Sequence, residues 1–445
     1  MTATPDPEAA EPPQPGTLAR MVDRAGFADL RGLFAHRDFT LFVLGHAPNV
    51  VGVWMSRTCW AWVGWELTHS PLWLGLLAAA DTVPTILLGP LGGAIADIGN
   101  RRRLAFLAQL GTTSTVALLA VLIAMGLIDI WGLFALVLIR GIIFSVWQPV
   151  RLAYMPSLVG PRQIPTAIAL NSSMFNLAMV IGPAIAGVLI DRWGAASGFG
   201  ATAASGVVML FMLAAIRPDL PRGDRKTGVR DVLRDTMEGL RLGFSHPGIR
   251  ATLGLLLVFG ACLRPVEELS AAYAELVFGL GIHGLSLILV ARGLGSVVGA
   301  VWLTRRGNRA GTVRLMLLAG LGAGFGVLAF TLVDDFTLAL ALLAFTGFCL
   351  TNCGTGIQQA LQQSVEDRRR GRVLALFGII VRNAPTLGAI VVGGLAGWAG
   401  LRLPLGLGAA IGIAVFAWAL LHWRTLERRL EPPTHAPAAV PEPIC

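Results

Sequence analysis

Twelve apolar runs of roughly 20 residues each punctuate this 445-residue chain, and a run of that length is what a helix needs to cross the hydrocarbon of a bilayer. Their approximate starts are Phe39, Leu72, Leu104, Ile130, Ala167, Ala195, Ala251, Gly284, Val313, Phe336, Val373 and Leu403. The bilayer core offers no water to backbone N–H and C=O groups, so runs of this length must be helical. Composition agrees: the chain is 55% hydrophobic and 14% charged, with mean hydropathy +0.69, well outside an ordinary soluble domain. The predicted fold class is therefore all-α membrane protein, with about twelve transmembrane helices.

Charge placement orients the bundle. Of the 35 basic residues, 28 fall in the N-terminal tail, every second loop and the C-terminal tail, whereas the intervening loops hold only Arg192 and Arg402. Lys and Arg accumulate on the cytoplasmic side of short loops, so both termini are expected in the cytoplasm. Lys226 is the sole lysine, a bias suggestive of a GC-rich bacterial genome, and the expected location is a bacterial inner membrane. The sequence pI near 10.5 then reflects contact with anionic lipid and not with nucleic acid. The Pro- and acid-rich start lacks the basic head of a signal peptide, so no cleavage is expected. Leu18 to Phe34 reads as an interfacial helix, with Leu18, Met21, Leu30 and Phe34 on its apolar face.

The longest break in the apolar pattern, Arg217 to Arg250, carries eight basic residues and joins six spans to six. Within it Val229, Val232, Leu233, Met237 and Leu240 are spaced like one side of a helix. The expected organisation is a tail and interfacial helix over 1–38, a six-helix half over 39–216, a linker over 217–250, a second half over 251–423 and a Pro-rich tail over 424–445. A local repeat supports the division. Gly93 to Arg103 places Asp97 at a helix end just before the basic turn Arg101-Arg102-Arg103, and Arg305-Arg306-Gly307-Asn308-Arg309 echoes that turn about 208 residues later.

Charges inside spans are expensive and by default functional. Five arginines are of this kind: Arg57, Arg140, Arg264, Arg292 and Arg382. Arg57 and Asp81 lie at similar depth, which predicts an ion pair or a shared water cavity between them. Asp81 either carries a proton released as Arg57 moves, or belongs to a static pair. Arg264, Glu267 and Glu268 share the seventh span beside Pro265, with Glu268 favoured as the partner at i+4. These carboxylates either load protons under control of Arg264 or lie near the outer water layer. Arg140, mid-span, either meets an anionic substrate in a cavity or neutralises an acid on another helix.

Asn176 and Asn352 are neutral hydrogen-bonding groups suited to a substrate cavity, and His46 is expected to make a structural hydrogen bond. Cys349 and Cys353 have helical spacing with no accompanying ligand, which predicts packing, not metal binding. Trp54, Trp60, Trp62, Trp65 and Trp73 cluster around the first outward turn, as an interfacial aromatic belt would. Neither a P-loop nor a nucleophile with a partnered base is present, so direct ATP drive and enzymatic catalysis are not expected, and no cofactor is implied.

Taken together, the six-plus-six layout and the acid-then-basic turn resemble the major facilitator superfamily over roughly Arg37 to Leu421. The family's loop signature, G-x-x-x-D-[RK]-x-G-[RK]-[RK], is matched by Gly93, Asp97, Arg101 and Arg102, with Ile98 in place of a base and Asn100 in place of a glycine. Arg140-Gly141 fits the family's arginine–glycine motif in span four, and Gly182, Pro183 and Gly187 fit the exporter motif of span five. Asn171 to Gly187, preceded by Leu158-Val159-Gly160-Pro161, looks most like the drug and siderophore efflux branch that includes enterobactin exporters and macrolide efflux pumps.

The resemblance implies two pseudo-symmetric halves rocking about a midplane cavity. It implies a secondary transporter, monomeric, exporting an amphipathic small organic molecule in exchange for protons. Gly93, Asp97, Arg101 and Arg102 would form its gating motif, with Asp97 a conformational latch or the turn no more than a topology signal. Arg57, Asp81, Arg140, Arg264, Glu267 and Glu268 would be candidates for proton coupling. An importer or facilitator of a small metabolite, or a transporter-shaped sensor without flux, is the alternative.

Overall fold

The structure, a computed structural model, describes residues 32–98, 100–216, 246–307, 311–365 and 367–430. The proposed linker helix and nearly all of the proposed interfacial helix lie outside the described residues.

Six long helices form the first half: α1 (Arg37–Thr68), α2 (Pro71–Ile98), α3 (Arg101–Ala124), α4 (Ile130–Tyr154), α5 (Ile164–Trp193) and α6 (Ala195–Ala215). The seventh span is broken. Helix α7 (Pro247–Val258) runs into a π turn over Phe259–Leu263, followed by the short helices α8 (Pro265–Glu268) and α9 (Ser270–Leu276). Five spans complete the second half: α10 (Gly281–Arg306), α11 (Thr312–Leu332), α12 (Phe336–Gln363), α13 (Asp367–Ala399) and α14 (Arg402–Leu421), followed by the short α15 (Trp423–Leu430). Twelve of the described segments are long and apolar enough to cross a membrane, and they begin within a few residues of the expected starts.

Local chemistry sets several boundaries. Asn100, Asp129 and Asp335 cap α3, α4 and α12 by accepting from the backbone N–H of Arg103 (3.1 Å), Gly132 (2.8 Å) and Leu338 (2.7 Å). Asn100 thus has a structural reason to stand where the family motif has glycine. The α1–α2 turn is made by His69, which takes the left-handed conformation at φ 48° and returns its N–H to the carbonyl of Trp65.

Three apolar cores organise the bundle. One contains residues of both halves, with Trp60, Trp65 and Leu77 from the first and Tyr273, Leu285 and Ala389 from the second, and lies at the end bearing the α1–α2 turn. The other two lie at the opposite, basic end. One is drawn wholly from the first half, around Phe39, Val150 and Leu213, and the other wholly from the second, around Ile249, Met316 and Leu361. The halves are therefore fused at one end and parted at the other.

Small residues make the fusion possible, because a backbone without Cβ lets helices touch. A Cβ on Gly75 would lie 2.8 Å from the backbone nitrogen of Ile390, and one on Gly393 would lie 2.6 Å from the carbonyl oxygen of Pro71, so α2 and α13 meet main chain to main chain. Further along the same pair, the hydroxyls of Thr82 and Thr386 meet at 3.3 Å.

Candidate functional site

Where the fused end gives way to the cleft, Arg57 of α1 pairs with Glu268 of α8. This bond ties the first half to the second. Beside it Glu267 is held by Arg292 of α10 at 2.9 Å and by Arg264 at 3.3 Å, and Arg264 also donates to the carbonyl of Val381 at 3.1 Å. Both glutamates are buried, at 9% and 8% exposure, which removes the reading that they stand in the outer water layer. The small pocket around them, about 30 Å³, is walled in part by Trp54, Thr58, Met179, Pro183 and Leu289. The guanidinium of Arg57 also lies 5.6 Å from the Trp54 ring centroid, a cation–π contact.

Two pairings differ from those expected from the sequence. Arg57 and Asp81 were expected to form an ion pair or share a water cavity, and the direct pair does not form: Asp81 pairs with Arg140. The depths agree but the neighbours do not, because α2 packs against α4 and turns Asp81 that way. Gly141 and Gly92 explain the closeness: a Cβ on Gly141 would lie 2.6 Å from the Ala80 carbonyl oxygen, and one on Gly92 would lie 2.4 Å from that of Ser145. The glycine beside Arg140 is thus what brings the guanidinium onto the acid. Second, Arg264 bonds Glu267 at i+3 and not Glu268 at i+4. The π turn and Pro265, which lacks an N–H, rotate the following residues so that Glu268 faces Arg57 across the molecule.

Arg292 was recognisable as a mid-span arginine, but its pairing with Glu267 required knowledge of the fold. Arg151, counted from the sequence among the basic loop residues, lies in the last turn of α4, where its Nη1 meets the Nε2 of His46 at 2.9 Å and donates to the Oδ1 of Asn171 at 3.1 Å. Arginine can only donate, so His46 accepts through Nε2 and is the neutral imidazole here. His46 has the structural role expected of it.

The span-five motif is a packing device. A Cβ on Gly182 would come within 2.6 Å of the Trp54 Cβ, and one on Gly187 within 2.5 Å of the Ser286 side chain. Ser286 in turn donates to the carbonyl of Pro183 at 2.8 Å, so the motif joins α5 both to α1 and to α10 of the other half. Cys349 and Cys353 are buried in the second half's own core, in keeping with packing.

The two candidate asparagines separate. Asn176 is exposed on α5, three residues before the pocket residue Met179. Asn352 is buried and donates to the Phe348 carbonyl of its own helix at 2.8 Å, so its amide N–H is satisfied within α12 and it does not line the pocket. Of the gating motif, Gly93 has open space where a Cβ would be, and Arg102 ties α3 to the end of α6 through the Ala214 carbonyl at 2.8 Å. Asp97 occupies the last turn of α2, and its side chain lies outside what the structure describes.

Known proteins share this architecture. A bacterial homologue of the human lysosomal transporter spinster, solved inward-facing and unoccupied, superposes with a TM-score of 0.70 at 14% identity, covering 90% of this chain and 98% of that one. In sequence the chain is 26% identical to the multidrug efflux pump Tap of Mycolicibacterium fortuitum, over 77% of this chain and 85% of the pump. It is 27% identical to the enterobactin exporter EntS of Shigella boydii, over 74% and 78%. Against the staphyloferrin A transporter of Staphylococcus aureus it is 24% identical, over 77% and 85%. These relatives are transporters and not enzymes. A family model described as transmembrane secretion effector matches residues 33–443, nearly the whole chain. The protein therefore belongs to the transmembrane secretion effector family of major facilitator transporters.

Proposed function

We propose that the protein exports an amphipathic small organic molecule from a bacterial cytoplasm in exchange for protons, by alternating access. The observation that carries this reading is the Arg57–Glu268 bond, which joins the two halves at the apex of the cleft. An ionised Glu268 accepts from Arg57 and helps hold the fused end shut. A protonated Glu268 loses most of that attraction, so occupancy by a proton is converted into freedom of the halves to rock. In the cytoplasm-open form, cargo entering the pocket competes with Glu268 for Arg57 and frees the closed end. After cargo leaves on the far side, a proton takes its place on Glu268 and is delivered inward when the pair re-forms.

In this scheme the basic end is cytoplasmic, the protein works as a monomer, and Asp97 with Arg101 and Arg102 latches the cytoplasmic mouth when it closes. Glu267, clamped by two arginines, holds the pocket's shape while Glu268 exchanges partners. The names of the relatives, a multidrug pump and two siderophore transporters, support efflux of bulky organic cargo.

The test is transport in inside-out vesicles with an imposed pH gradient, using ethidium and enterobactin as trial cargoes. Accumulation of either one that collapses when the gradient is dissipated, and that Glu268→Gln abolishes, is the expected result. Accumulation unaffected by both interventions would eliminate proton exchange at this site.

A further inference from the structure

A far larger cavity than the one beside Glu268 lies at the basic end of the second half. It measures about 510 Å³ and runs between Ala251, Gly254 and Val258 of α7 and Val415, Trp418 and Ala419 of α14. The π turn accounts for it. At the turn the two helices touch: a Cβ on Gly412 would lie 2.5 Å from the Leu263 side chain, and one on Gly408 would lie 3.2 Å from the Cys262 carbonyl oxygen. A π turn bends a helix, and nearer the basic end α7 has drawn away from α14, so that a Cβ on Gly254 would meet nothing within 4 Å. The space is thus a wedge, tight at the π turn and wide at the basic end, about 10 Å deep from Ala251 to Val258. Trp418 on its wall is 64% exposed, and Leu407 and Ile411 continue that exposed apolar face along α14, so the wedge opens toward lipid.

At the basic end the lining turns polar, with His422 and Thr425. A carbonyl can only accept, so His422 donates from Nδ1 to the Trp418 carbonyl at 2.9 Å, and its Nε2 has no partner among the described residues. Next to it the guanidinium groups of Arg424 and Arg314 lie 5.5 and 6.0 Å from the centroid of the Trp423 ring, which places two cations at the end of the wedge. Arg250 adjoins Ala251 in the first turn of α7, and Arg428 lies one turn beyond Thr425; both are exposed. None of these four arginines has a carboxylate partner among the described residues, and Glu427 is the only acid of α15.

Water has no polar partners on the apolar walls, whereas hydrocarbon restores the contacts that α7 and α14 forgo by parting. Cations gathered where such a wedge meets the membrane boundary call for a phosphate at the head of that hydrocarbon. We propose that the wedge binds one anionic phospholipid from the leaflet at the basic end, with an acyl chain between α7 and α14 and its phosphate against His422, Thr425 and the arginines around Trp423. The site is separate from the pocket beside Glu268, and its occupant braces the parted stretch of α7.

The experiment adds palmitoyl-oleoyl phosphatidylglycerol, or phosphatidylcholine with the same chains, to the full-length protein purified in detergent and counts retained lipid by native mass spectrometry. The expected result is one phosphatidylglycerol held at least tenfold more tightly than phosphatidylcholine, weakened about fivefold in each of Arg424→Gln and Arg428→Gln. Gly254→Leu, which fills the wedge, should weaken it about tenfold by displacing the chain. Leucine there meets open space, so a melting temperature without added lipid no lower than that of the wild type controls for folding. Phosphatidylglycerol carrying a diazirine on its acyl chain should crosslink between Ala251 and Val258 or between Val415 and Leu426. Equal retention of the two lipids, wild-type retention in Gly254→Leu, or crosslinks confined to other helices overturns the proposal.

Discussion

Two buried ion pairs of the same chemistry occupy different mechanical positions. Arg140–Asp81 lies within one half, between α4 and α2, which pack so closely that glycines are needed at the contact. Arg57–Glu268 lies between the halves. A pair inside a body that moves as a unit keeps its partner through any rocking, whereas a pair between bodies must break. The first is suited to holding shape and the second to governing change. Membrane depth and residue type, which are all that a sequence displays, do not distinguish them.

That contrast can be broken by substitution. Arg140→Met would leave Asp81 without its partner, at a cost of about 3–5 kcal/mol to the folded protein. Thermal unfolding in detergent should show the loss, and adding Asp81→Leu should recover much of it. If Arg140→Met melts like the wild type, the intra-half pair is not structural. Glu268→Gln should do the reverse: proton-driven transport in vesicles falls about a hundredfold, as expected when a proton carrier is removed, while melting changes little because Arg57 keeps partial solvent access. A variant that unfolds but transports when rescued by lipid would erase the distinction.

Smaller effects sharpen the same comparison. Gly141→Val pushes a side chain into the Ala80 and Asp81 carbonyls and should cost about 1–3 kcal/mol, separating α4 from α2 and disturbing the Arg140 pair without touching Glu268. Its melting should fall further than its proton dependence shifts, and the opposite ranking would argue against a purely local role. Asn100→Ala removes the α3 cap and should cost about 1 kcal/mol, visible as faster hydrogen exchange at the N–H of Arg103. Exchange at wild-type rates would mean that the basic turn is held by something other than its cap.

The span count was legible in the sequence because lipid imposes it directly: every apolar run had to become a helix, and each did. The close-approach glycines of the span-four and span-five motifs were legible for a related reason, since absence of a side chain is a local fact. Partner choice was not. Asp81 could have met Arg57 or Arg140 on depth alone, and only the lateral order of helices decides between them. The Arg264 to Glu268 turn failed differently. A regular helix predicts an i+4 pair, and the π turn before Pro265 is a tertiary accommodation to α13, whose Gly388 would place a Cβ 2.0 Å from the Ala261 carbonyl oxygen. Asn352 looked like a cavity residue because it is polar, but a polar side chain inside a span can equally satisfy its own helix.

The division of apolar packing into one shared core and two separate ones has a thermodynamic consequence. Opening the fused end exposes apolar surface there, and closing the basic end covers apolar surface between the other two cores. In the proposed rocking, apolar surface exposed at one end is offset by apolar surface covered at the other, which limits the heat-capacity change of the transition. Temperature is then a weak lever on the conformational balance. In the proposed mechanism it is proton and cargo occupancy, acting on a few charged atoms, that sets that balance across the range of temperatures at which the membrane stays fluid.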